Sequence, residues 1–388
     1  MTKVVFLSSA HPKFDKRVFQ KEAVWLAAEG YEVIHLCPDD RAEELDRDGV
    51  HVSTYTRRPG LVGRVRNFPR LFSAARRLQP DIIHANELDS WIVALAVKLV
   101  SKTRVVFDVH EFYPSMFAET RMPRSLAPLT IGSMRLLYRL LAPHTDLIVL
   151  ANRHIRRDFP NLPDRIITAE NFAVLDIAAR MDRMSADLKA EQRTDGEGDA
   201  DGPFRIIHVG LMAEERGSKV IVDCARAHLD AGTPLTLIGT ITDMPNAAFR
   251  DMIAAEGLDD RIEVIDWLPY EDLTGKLVAS HLGIVFFQSG SETNAYGLPH
   301  KLFDYMAAGL PVLVSKYARY VSEIVTEAQC GIIVDSEDPA AVAREIRALA
   351  ADPARARELG ENGRKALQGK FNWDAEFSKI LKGYERLA

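Results

Sequence analysis

The stretch SGSETNAYGLPHKLFDYMAAGLPVLVS, residues 289–315, has the pattern of a loop, a short helix and a buried strand. Pro299 suits the first turn of a helix, where its missing N–H costs nothing. Gly309 suits the end of that helix, and Pro311 prevents its continuation. The LPVLVS that follows is short and apolar, as expected for a strand inside a sheet.

Two charged residues interrupt the apolar sequence of this helix. Lys301 lies in its first turn, and Asp304 lies three residues later on the same face. A carboxylate among apolar side chains gains nothing unless something pairs with it. The N-terminal end of a helix favours an anion through its free N–H groups and its dipole. The pattern therefore predicts a phosphate site at the helix start, with Asp304 accepting hydrogen bonds from nearby hydroxyls.

Strand-like and helical segments alternate along both halves of the chain. The strand-like segments are 4–9, 31–37, 51–55, 81–85, 104–110, 146–151 and 165–171, then 204–210, 234–240, 261–266, 282–287, 310–315 and 331–334. This alternation predicts an α/β fold in which parallel sheets are covered by helices on both faces. Ligands of such doubly wound sheets bind at the carboxyl ends of the strands.

A chain of 388 residues fits two domains of ordinary size, which we place at 1–172 and 204–370. Between them, residues 173–203 include an acidic stretch with three glycines, which predicts a linker with a flexible insertion. Residues 371–388 are expected to form a C-terminal helix that packs back toward the first domain. No GxGxxG motif follows the first strand of either domain, which argues against a nicotinamide dehydrogenase.

The charge of the chain is unevenly distributed. Residues 1–180 hold 26 Lys and Arg against 21 Asp and Glu, whereas the rest of the chain is acidic. Segments 56–78 and 121–143 hold seven and four arginines and no acidic residue. They predict contact with an anionic membrane surface, or else helices with a basic outer face on an ordinary core. Because no nucleic-acid motif accompanies the charge, we do not expect nucleic acid as a partner.

The chain carries neither a signal-peptide pattern nor an apolar run of the roughly 20 residues that a membrane span needs. We therefore expect a cytoplasmic location, with peripheral association at the inner face of the plasma membrane.

Polar pairs also occur near the ends of predicted strands in the first domain. His110 and Glu111 follow strand 104–109, either as a polar pair facing a ligand or as a hydrogen-bonded loop pair. Asp15 either caps the next helix or faces a ligand. Arg17 lies in the first turn of that helix, where the dipole disfavours a cation, so the sequence predicts a negatively charged partner for it.

A second basic pair follows the first strand of the second domain. Arg216 and Lys219 either clamp a diphosphate or lie on a solvated surface. The two DxD pairs, 46–48 and 199–201, lie in acidic, loop-like stretches, and no motif for a metal or for a P-loop is present. We therefore expect neither a metal nor another cofactor.

Four segments, in this order, resemble the group 1 (family 4) glycosyltransferases of the GT-B fold. They are HPKFDKRVFQKEAVWLAAEGYEV, PDIIHANELD, FDVHEFYP and NAYGLPHKLFDYMAAGLPVLVS, and the resemblance extends over nearly the whole chain. It is strongest to bacterial members that build exopolysaccharide, capsule or O-antigen. It implies two Rossmann-like domains facing a central cleft, and retaining transfer of a sugar from a UDP- or GDP-sugar to a saccharide or lipid-linked acceptor. No metal is implied, since basic residues and a helix dipole neutralise the diphosphate.

The motif of this family usually has two glutamates separated by seven residues. Asp304 occupies the second place, which the family uses to hold the ribose hydroxyls, and Tyr296 occupies the first. Asn294 and Lys301 resemble the PxK variant of this motif. The resemblance places His110 near the sugar and phosphate of the donor.

The resemblance thus implies three groups of site residues. The catalytic candidates are His110, Lys301 and Arg216, and the acceptor-side candidates are Asp15, Arg17 and Glu111. The candidates for binding the donor are Gly210, Arg216, Lys219, Asn294, Tyr296, Gly297, Leu298, Lys301, Leu302, Asp304 and Glu323.

Two other functions are compatible with the same motifs. A sugar-nucleotide epimerase of the GT-B fold, or an inverting transferase, would share them, and turnover without an acceptor would favour the epimerase. The absent first glutamate is also compatible with a non-catalytic subunit of a polysaccharide assembly complex, which failure to bind any nucleotide would favour.

Overall fold

The computed structural model describes residues 1–58, 60–160, 162–181, 183, 184, 186, 202–228 and 233–387. The chain divides into two compact units, one of Met1–Asn171 with Trp373–Ala388 and the other of Phe172–Asn372. Most of the acidic stretch of the expected linker, residues 187–201, lies outside the described residues.

The first unit is built on a sheet of eight strands. They are β1 Lys3–Leu7, β2 Glu32–Asp39, β3 Glu44–Arg47, β4 Val50–Thr56, β5 Ile82–Ala85, β6 Arg104–Val109, β7 Leu147–Leu150 and β8 Ile166–Thr168. Their order is β3-β4-β2-β1-β5-β6-β7-β8. The edge pair β3 and β4 is antiparallel, and the other pairs are parallel. The chain therefore reverses its winding direction between β1 and β5, where a doubly wound sheet binds ligands.

Helices flank this sheet. They are α1 Val24–Ala28, α2 Gly60–Arg66, α3 Phe68–Arg77, α4 Leu88–Leu99, α5 Tyr113–Arg121 and α6 Ala127–Leu141, and α15 Trp373–Glu385 joins them from the end of the chain. A π-helical segment, Val18–Ala23, precedes α1, and short 3₁₀ segments lie at Ala142–His144, Arg153–Asp158 and Pro163–Arg165. In the core, the Trp91 ring stacks on Phe107 with the centroids 4.0 Å apart, and its Nε1 donates to Thr145 Oγ1 at 2.8 Å.

The second unit is built on six parallel strands. They are β9 Ile206–Val209, β10 Leu235–Ile238, β11 Ile262–Ile265, β12 Leu282–Val285, β13 Val312–Ser315 and β14 Gly331–Val334. Their order, β11-β10-β9-β12-β13-β14, is the 3-2-1-4-5-6 order of a dinucleotide-binding sheet. The chain reverses its winding direction between β9 and β12.

The helices of the second unit cover both faces of its sheet. They are α7 Ser218–His228, α8 Asn246–Ala255, α9 Tyr270–Val278, α10 Glu292–Tyr296, α11 Lys301–Ala308, α12 Arg319–Ala328, α13 Pro339–Ala351 and α14 Pro353–Gly369, with a 3₁₀ segment at Glu214–Arg216. Two hydrophobic clusters form, one on each side of the strands. The apolar runs seen in the sequence are thus strands buried on both faces.

The structure confirms the predicted α/β alternation and each predicted strand to within a few residues at its ends. It adds the edge strand β3, whose charged sequence ELDR gave no strand signal. The opening stretch forms α11 and β13 as predicted, and Gly309 ends α11 with a positive φ of 71°. The placement of Pro299 in the first turn was wrong, because α11 starts at Lys301. Among the described residues, no helix combines the length and the apolar content that a membrane span requires.

Candidate functional site

The carboxyl ends of β9 and β12 lie side by side at the switch point of the second sheet. β9 runs directly into Gly210, whose φ of 107° is a backbone conformation that glycine adopts readily. A Cβ at Gly210 would lie 3.6 Å from Lys301 Cε and 3.8 Å from its Nζ. The ammonium of Lys301 therefore lies against the backbone of the loop that follows the first strand of this unit.

One close contact fixes α11 over the sheet. A Cβ at Gly283 of β12 would lie 2.4 Å from the Tyr305 ring, so only glycine admits this ring. The Tyr305 hydroxyl accepts a hydrogen bond from Val209 N at 3.0 Å. Because Lys301 lies one helical turn before Tyr305, this contact also sets where its side chain emerges.

The second contact of Lys301 is with a histidine. Its Nζ lies 2.8 Å from His208 Nε2, and His208 is fully buried in β9. Burial lowers the pKa of His208 well below its usual value, and the nearby charges of Lys301 and Arg216 lower it further. The imidazole is therefore neutral, and its Nε2 accepts the hydrogen bond from the ammonium.

Burial also lowers the pKa of Lys301 itself, to about 7. The positive charge of Arg216 contributes in the same direction, and Asp304 opposes it. An ammonium in such surroundings is stabilised by any anion that enters. These surroundings favour an anion beside Lys301, as the predicted phosphate site would need.

The structure modifies the prediction of free N–H groups at this helix start. The N–H groups of Leu302, Phe303 and Asp304 donate to the carbonyl oxygens of Pro299 and His300. The first turn is thus largely satisfied by its own backbone. The positive character of the site then comes mainly from the Lys301 side chain, together with the helix dipole.

The basic residues of the second pair occupy different surroundings. Arg216 ends the 3₁₀ segment, and its guanidinium lies 5.7 Å from the centre of the Phe287 ring, just beyond β12. Its charge reaches both Lys301 and His208. Lys219 is exposed in the first turn of α7. Arg216 is therefore the member of this pair that the structure brings to the site.

The residues before α11 have mainly structural contacts. Asn294 is buried in α10, and its N–H donates to Ser291 Oγ at 3.2 Å. The Tyr296 hydroxyl accepts a hydrogen bond from Arg319 at 3.3 Å, and Leu298 packs on the core. Gly297 N donates to Thr293 O at 2.7 Å. The buried Asn294 and the partly buried Leu298 thus support the loop.

Leu302 requires a correction as a donor-binding residue. Its side chain is fully buried in the core, and its N–H donates to Pro299 O. Asp304 is partly buried one turn along α11, close enough to raise the pKa of Lys301. Glu323 lies on α12, where it lines a surface cavity of about 630 Å³ with Lys316 and Arg319.

In the first unit, the carboxylate of Glu87 holds the loop that follows β1 by hydrogen bonds. Glu87, which follows β5, accepts hydrogen bonds from the backbone N–H groups of Ser9 and Ala10 at 2.9 Å and of His11 at 3.1 Å. The His11 ring lies 4.8 Å from that of His110, which follows β6. The carboxyl ends of β1, β5 and β6 thereby form a polar edge at the switch point of the first sheet.

His110 is a nearly buried, neutral member of this edge. Its Nε2 lies 2.9 Å from Asp108 Oδ2. Burial lowers the pKa of His110 to about 3, although Asp108 acts in the opposite direction. The charges of His11 and Arg17 act in the same direction as burial, so the attraction of Asp108 does not prevail.

The structure corrects the assignment of Arg17 to the acceptor side. Arg17 is buried, and its Nε and Nη2 donate to the two oxygens of Asp108 at 3.0 and 2.9 Å. Its Nη1 donates to Ala169 O at 3.1 Å, and Glu22 Oε1 lies 3.0 Å from Nη2. The negatively charged partner that the sequence predicted is thus inside the domain.

Further polar residues surround this ion pair. Glu22, His84 and Asp108 bring three potential ligand atoms within 4.8 Å of one another, and the Arg17 guanidinium pairs with the two carboxylates. His84 Nδ1 lies 2.5 Å from the hydroxyl of Tyr384, which α15 brings to the first unit. This buried network thus joins the C-terminal helix to the sheet.

The two remaining acceptor-side candidates differ in exposure. Asp15 Oδ1 accepts hydrogen bonds from the N–H groups of Arg17 at 2.8 Å and Val18 at 2.9 Å, so it has the capping role that the sequence left open. Its other oxygen lies 3.4 Å from His11 Nδ1. Glu111 is exposed beyond β6.

Sequence reasoning missed two residues with central positions. His208 contacts Lys301, which the sequence did select, and Glu87 holds the loop that follows β1. Neither His208 nor Glu87 was predicted as a site residue. The sequence signal for His208 was available, since IIHV places a polar side chain inside an apolar strand. A buried polar residue of this kind needs a partner, as does Asp304 in the apolar helix.

The sheet order of the second unit, with a glycine and basic side chains at its switch point, defines a Rossmann-like nucleotide-binding class. Two family models match the sequence: glycosyl transferase 4-like domain over residues 16–184, and glycosyl transferases group 1 over residues 190–366. The chain belongs to this glycosyltransferase family and has the GT-B fold, as the motifs implied.

Relatives with an assigned role are distant. The amylovoran biosynthesis glycosyltransferase AmsK of Erwinia amylovora is 24% identical over 188 residues, which is 48% of this chain and 46% of that protein. The MMP alpha-(1->4)-mannosyltransferase of Mycolicibacterium hassiacum is 23% identical over 162 residues, 42% of this chain and 38% of that protein. The chain thus spans less than half the length of these relatives.

Solved structures resemble the whole chain. The sucrose-phosphate synthase of Thermosynechococcus elongatus superposes with a TM-score of 0.74 at 17% identity, covering 100% of this chain and 99% of that one. Anabaena HepE in complex with UDP superposes with a TM-score of 0.72 at 12% identity, covering 99% of this chain and 100% of HepE. At these identities the likeness concerns the fold.

Proposed function

We propose that the protein is a retaining glycosyltransferase that moves a sugar from a UDP- or GDP-sugar to a saccharide acceptor in the biosynthesis of a cell-surface polysaccharide. The observation that carries this proposal is the position of Lys301 against Gly210, with Arg216 nearby, at the switch point of the second sheet. Family membership and the biosynthetic role of AmsK support the reaction class.

In this proposal the second unit binds the nucleotide diphosphate. Lys301 and Arg216 stabilise the negative charge that develops on the diphosphate as the bond to the sugar breaks. Asp304 holds the ribose hydroxyls. The departing phosphate oxygen takes the proton of the acceptor hydroxyl, so that no protein nucleophile and no metal is needed.

The acceptor binds the first unit, and we propose that it is lipid-linked. The polar edge formed by Glu87, His11 and His110 offers hydrogen-bonding groups for a saccharide. An apolar cavity of about 440 Å³ lies beside this edge, lined by Leu88, Tyr113, Phe117, Leu129, Thr130, Ser133 and Met134. An apolar groove next to a polar edge suits a ligand with a hydrophobic tail and a sugar head group.

The same unit has a surface suited to an anionic membrane at the cytoplasmic face. On α6, the side chains of Leu129, Leu136 and Leu140 are 70%, 57% and 61% exposed. Exposed arginines accompany them, among them Arg124 and Arg139. Exposed leucines with flanking arginines favour binding to an interface that contains anionic lipids.

The first test is a thermal-shift panel of UDP, GDP and ADP and of their sugars, since a bound ligand raises the apparent stability. We expect a UDP or GDP compound to raise Tm in the wild type and not in Lys301→Met. The exposed Lys365→Met, in α14 of the same unit, serves as the control and should respond as the wild type does. A panel in which no nucleotide raises Tm would refute the proposed donor class.

The remaining parts of the proposal have separate tests. NMR of the product formed with the identified donor would show whether the anomeric configuration is retained. Sedimentation with liposomes tests the membrane surface, and binding to anionic vesicles that is no stronger than binding to neutral ones would refute it. Leu136→Ser with Leu140→Ser should weaken the binding to anionic vesicles.

A further inference from the structure

The hydrogen bond between Lys301 and His208 has a consequence for how the donor binds. His208 Nε2 lies 2.8 Å from Lys301 Nζ, and His208 is fully buried in β9, the strand that directly precedes Gly210. Two cations cannot coexist at this distance in a buried site, so the pair carries at most one positive charge. The other charged groups near Lys301 are Arg216 and Asp304.

We propose that His208 is a positioning residue for Lys301, and that the pair takes up one proton when a nucleotide diphosphate binds beside Gly210. This inference rests on the proposed function, because it concerns the same diphosphate site. The imidazole Nε2 accepts a hydrogen bond from the ammonium and holds it over the glycine backbone. A neutral acceptor of this kind orients the ammonium and leaves its positive charge uncancelled. An aspartate in the same place would cancel that charge.

The proton balance follows from the surroundings of the amine. In the empty site, burial and Arg216 disfavour the ammonium, so near neutral pH a fraction of the molecules holds a neutral amine at Lys301. A diphosphate reverses this preference, because its negative charges stabilise the ammonium. The amine then gains a proton from the solvent and forms a new N–H bond at Nζ. Affinity should therefore fall as the pH rises above about 7, by up to about tenfold per pH unit.

Calorimetry measures this proton directly. The probes are UDP-glucose and GDP-mannose, whose diphosphates are esterified at both ends and do not titrate near neutral pH. Titrations at pH 6.0 and 7.5, each in two buffers of different ionisation enthalpy, give the number of protons taken up. For the probe that binds, we expect about 0.1 proton at pH 6.0 and more than about half a proton at pH 7.5. Uptake that is negligible at both pH values would overturn the proposal.

Two substitutions separate positioning from mere packing. His208→Leu removes the acceptor, and we expect about a tenfold or greater loss of affinity with the pH midpoint moved to lower pH. His208→Gln keeps an acceptor near the position of Nε2 and should restore most of the affinity and the midpoint. Circular dichroism and thermal melting establish that both variants are folded.

The outcomes remain distinguishable. If His208→Leu binds the probe with wild-type affinity and midpoint, the positioning role is wrong. If both variants lose affinity equally and keep the wild-type midpoint, His208 only packs the strand. If His208→Leu does not fold, the wild-type proton count and the His208→Gln titration decide the matter. If the wild type binds neither probe at about 1 mM, the proposed function itself fails.

Discussion

Replacing Lys301 with methionine should make the free protein more stable at neutral and acidic pH while removing its affinity for a nucleotide diphosphate. Methionine has a similar length and no charge, so it keeps much of the packing of the lysine chain. What it removes is an ammonium whose pKa burial lowers to about 7. The expected gain in stability therefore depends on pH in a direction that the pKa fixes.

The magnitude follows from the difference between the folded and unfolded states. A lysine with a pKa of about 7 when folded and about 10.4 when unfolded lowers the stability by at most about 5 kcal/mol below pH 7. This penalty declines as the pH rises from about 7 and vanishes above about 10.4, because the unfolded chain binds more protons within that range. Since Lys301 is only partly buried, we take about half of this value.

A second effect opposes the first. Methionine leaves the buried Nε2 of His208 without its donor, which costs about 1 kcal/mol or somewhat more. The net gain is then about 1–2 kcal/mol at pH 6.5, or a rise in Tm of about 2–6 °C. At pH values near 10 only the lost hydrogen bond remains, so the variant should be slightly less stable than the wild type.

The assay is thermal unfolding of Lys301→Met, Lys365→Met and the wild type at pH 6.5, 8.0 and 9.5. The Lys365→Met control should track the wild type at each pH, since Lys365 is exposed. The difference between Lys301→Met and the wild type should shrink and then change sign as the pH rises. A variant that is less stable than the wild type by the same amount at all three pH values would refute the reasoning.

Three further predictions concern the framework. Arg17→Met should destabilise the first unit by about 3–5 kcal/mol in urea unfolding, because it leaves the buried carboxylates of Asp108 and Glu22 without their cation. A loss below about 1 kcal/mol would contradict the structural role of this ion pair. Gly283→Ala should displace α11, since its Cβ would lie 2.4 Å from the Tyr305 ring, and calorimetry should show weakened nucleotide binding. Tyr384→Phe should cost about 1 kcal/mol in urea unfolding by removing the hydroxyl 2.5 Å from His84, whereas an unchanged midpoint would show that the contact is dispensable.

Much of the fold was predictable from periodicity alone. Short apolar runs separated by helical patterns fixed the strands of both sheets, because parallel strands are buried on both faces and need continuous apolar sequences. The edge strand β3 escaped this logic, since Glu44–Arg47 is polar and is held by pairing with β4 rather than by burial. The start of α11 was predicted too early, at Pro299. Pro299 and His300 form a turn before the helix, and their carbonyl oxygens accept the hydrogen bonds of its first N–H groups.

The candidate site was predictable where one residue violates its surroundings. Lys301 in an apolar helix was such a violation, and the structure places it against Gly210. Arg17 was equally conspicuous, and the argument that it needs an anion was correct, but sequence could not reveal that Asp108, 91 residues away, supplies it. The family resemblance placed Leu302 among the donor-binding residues, but helical geometry turns its side chain into the core.

Arg17 and Lys301 therefore have opposite roles that their partners reveal. Burial would lower the pKa of Arg17, but the charges of Asp108 and Glu22 outweigh it and raise that pKa, so its charge is fully compensated within the domain. At Lys301 the effect of burial prevails and lowers the pKa, since the group 2.8 Å from its Nζ is a neutral imidazole. A cation that the fold has already neutralised has nothing left to offer a ligand, whereas one held by a neutral acceptor is stabilised when an anion arrives. By this criterion Arg17 is part of the framework, and we propose Lys301 as a member of the binding site.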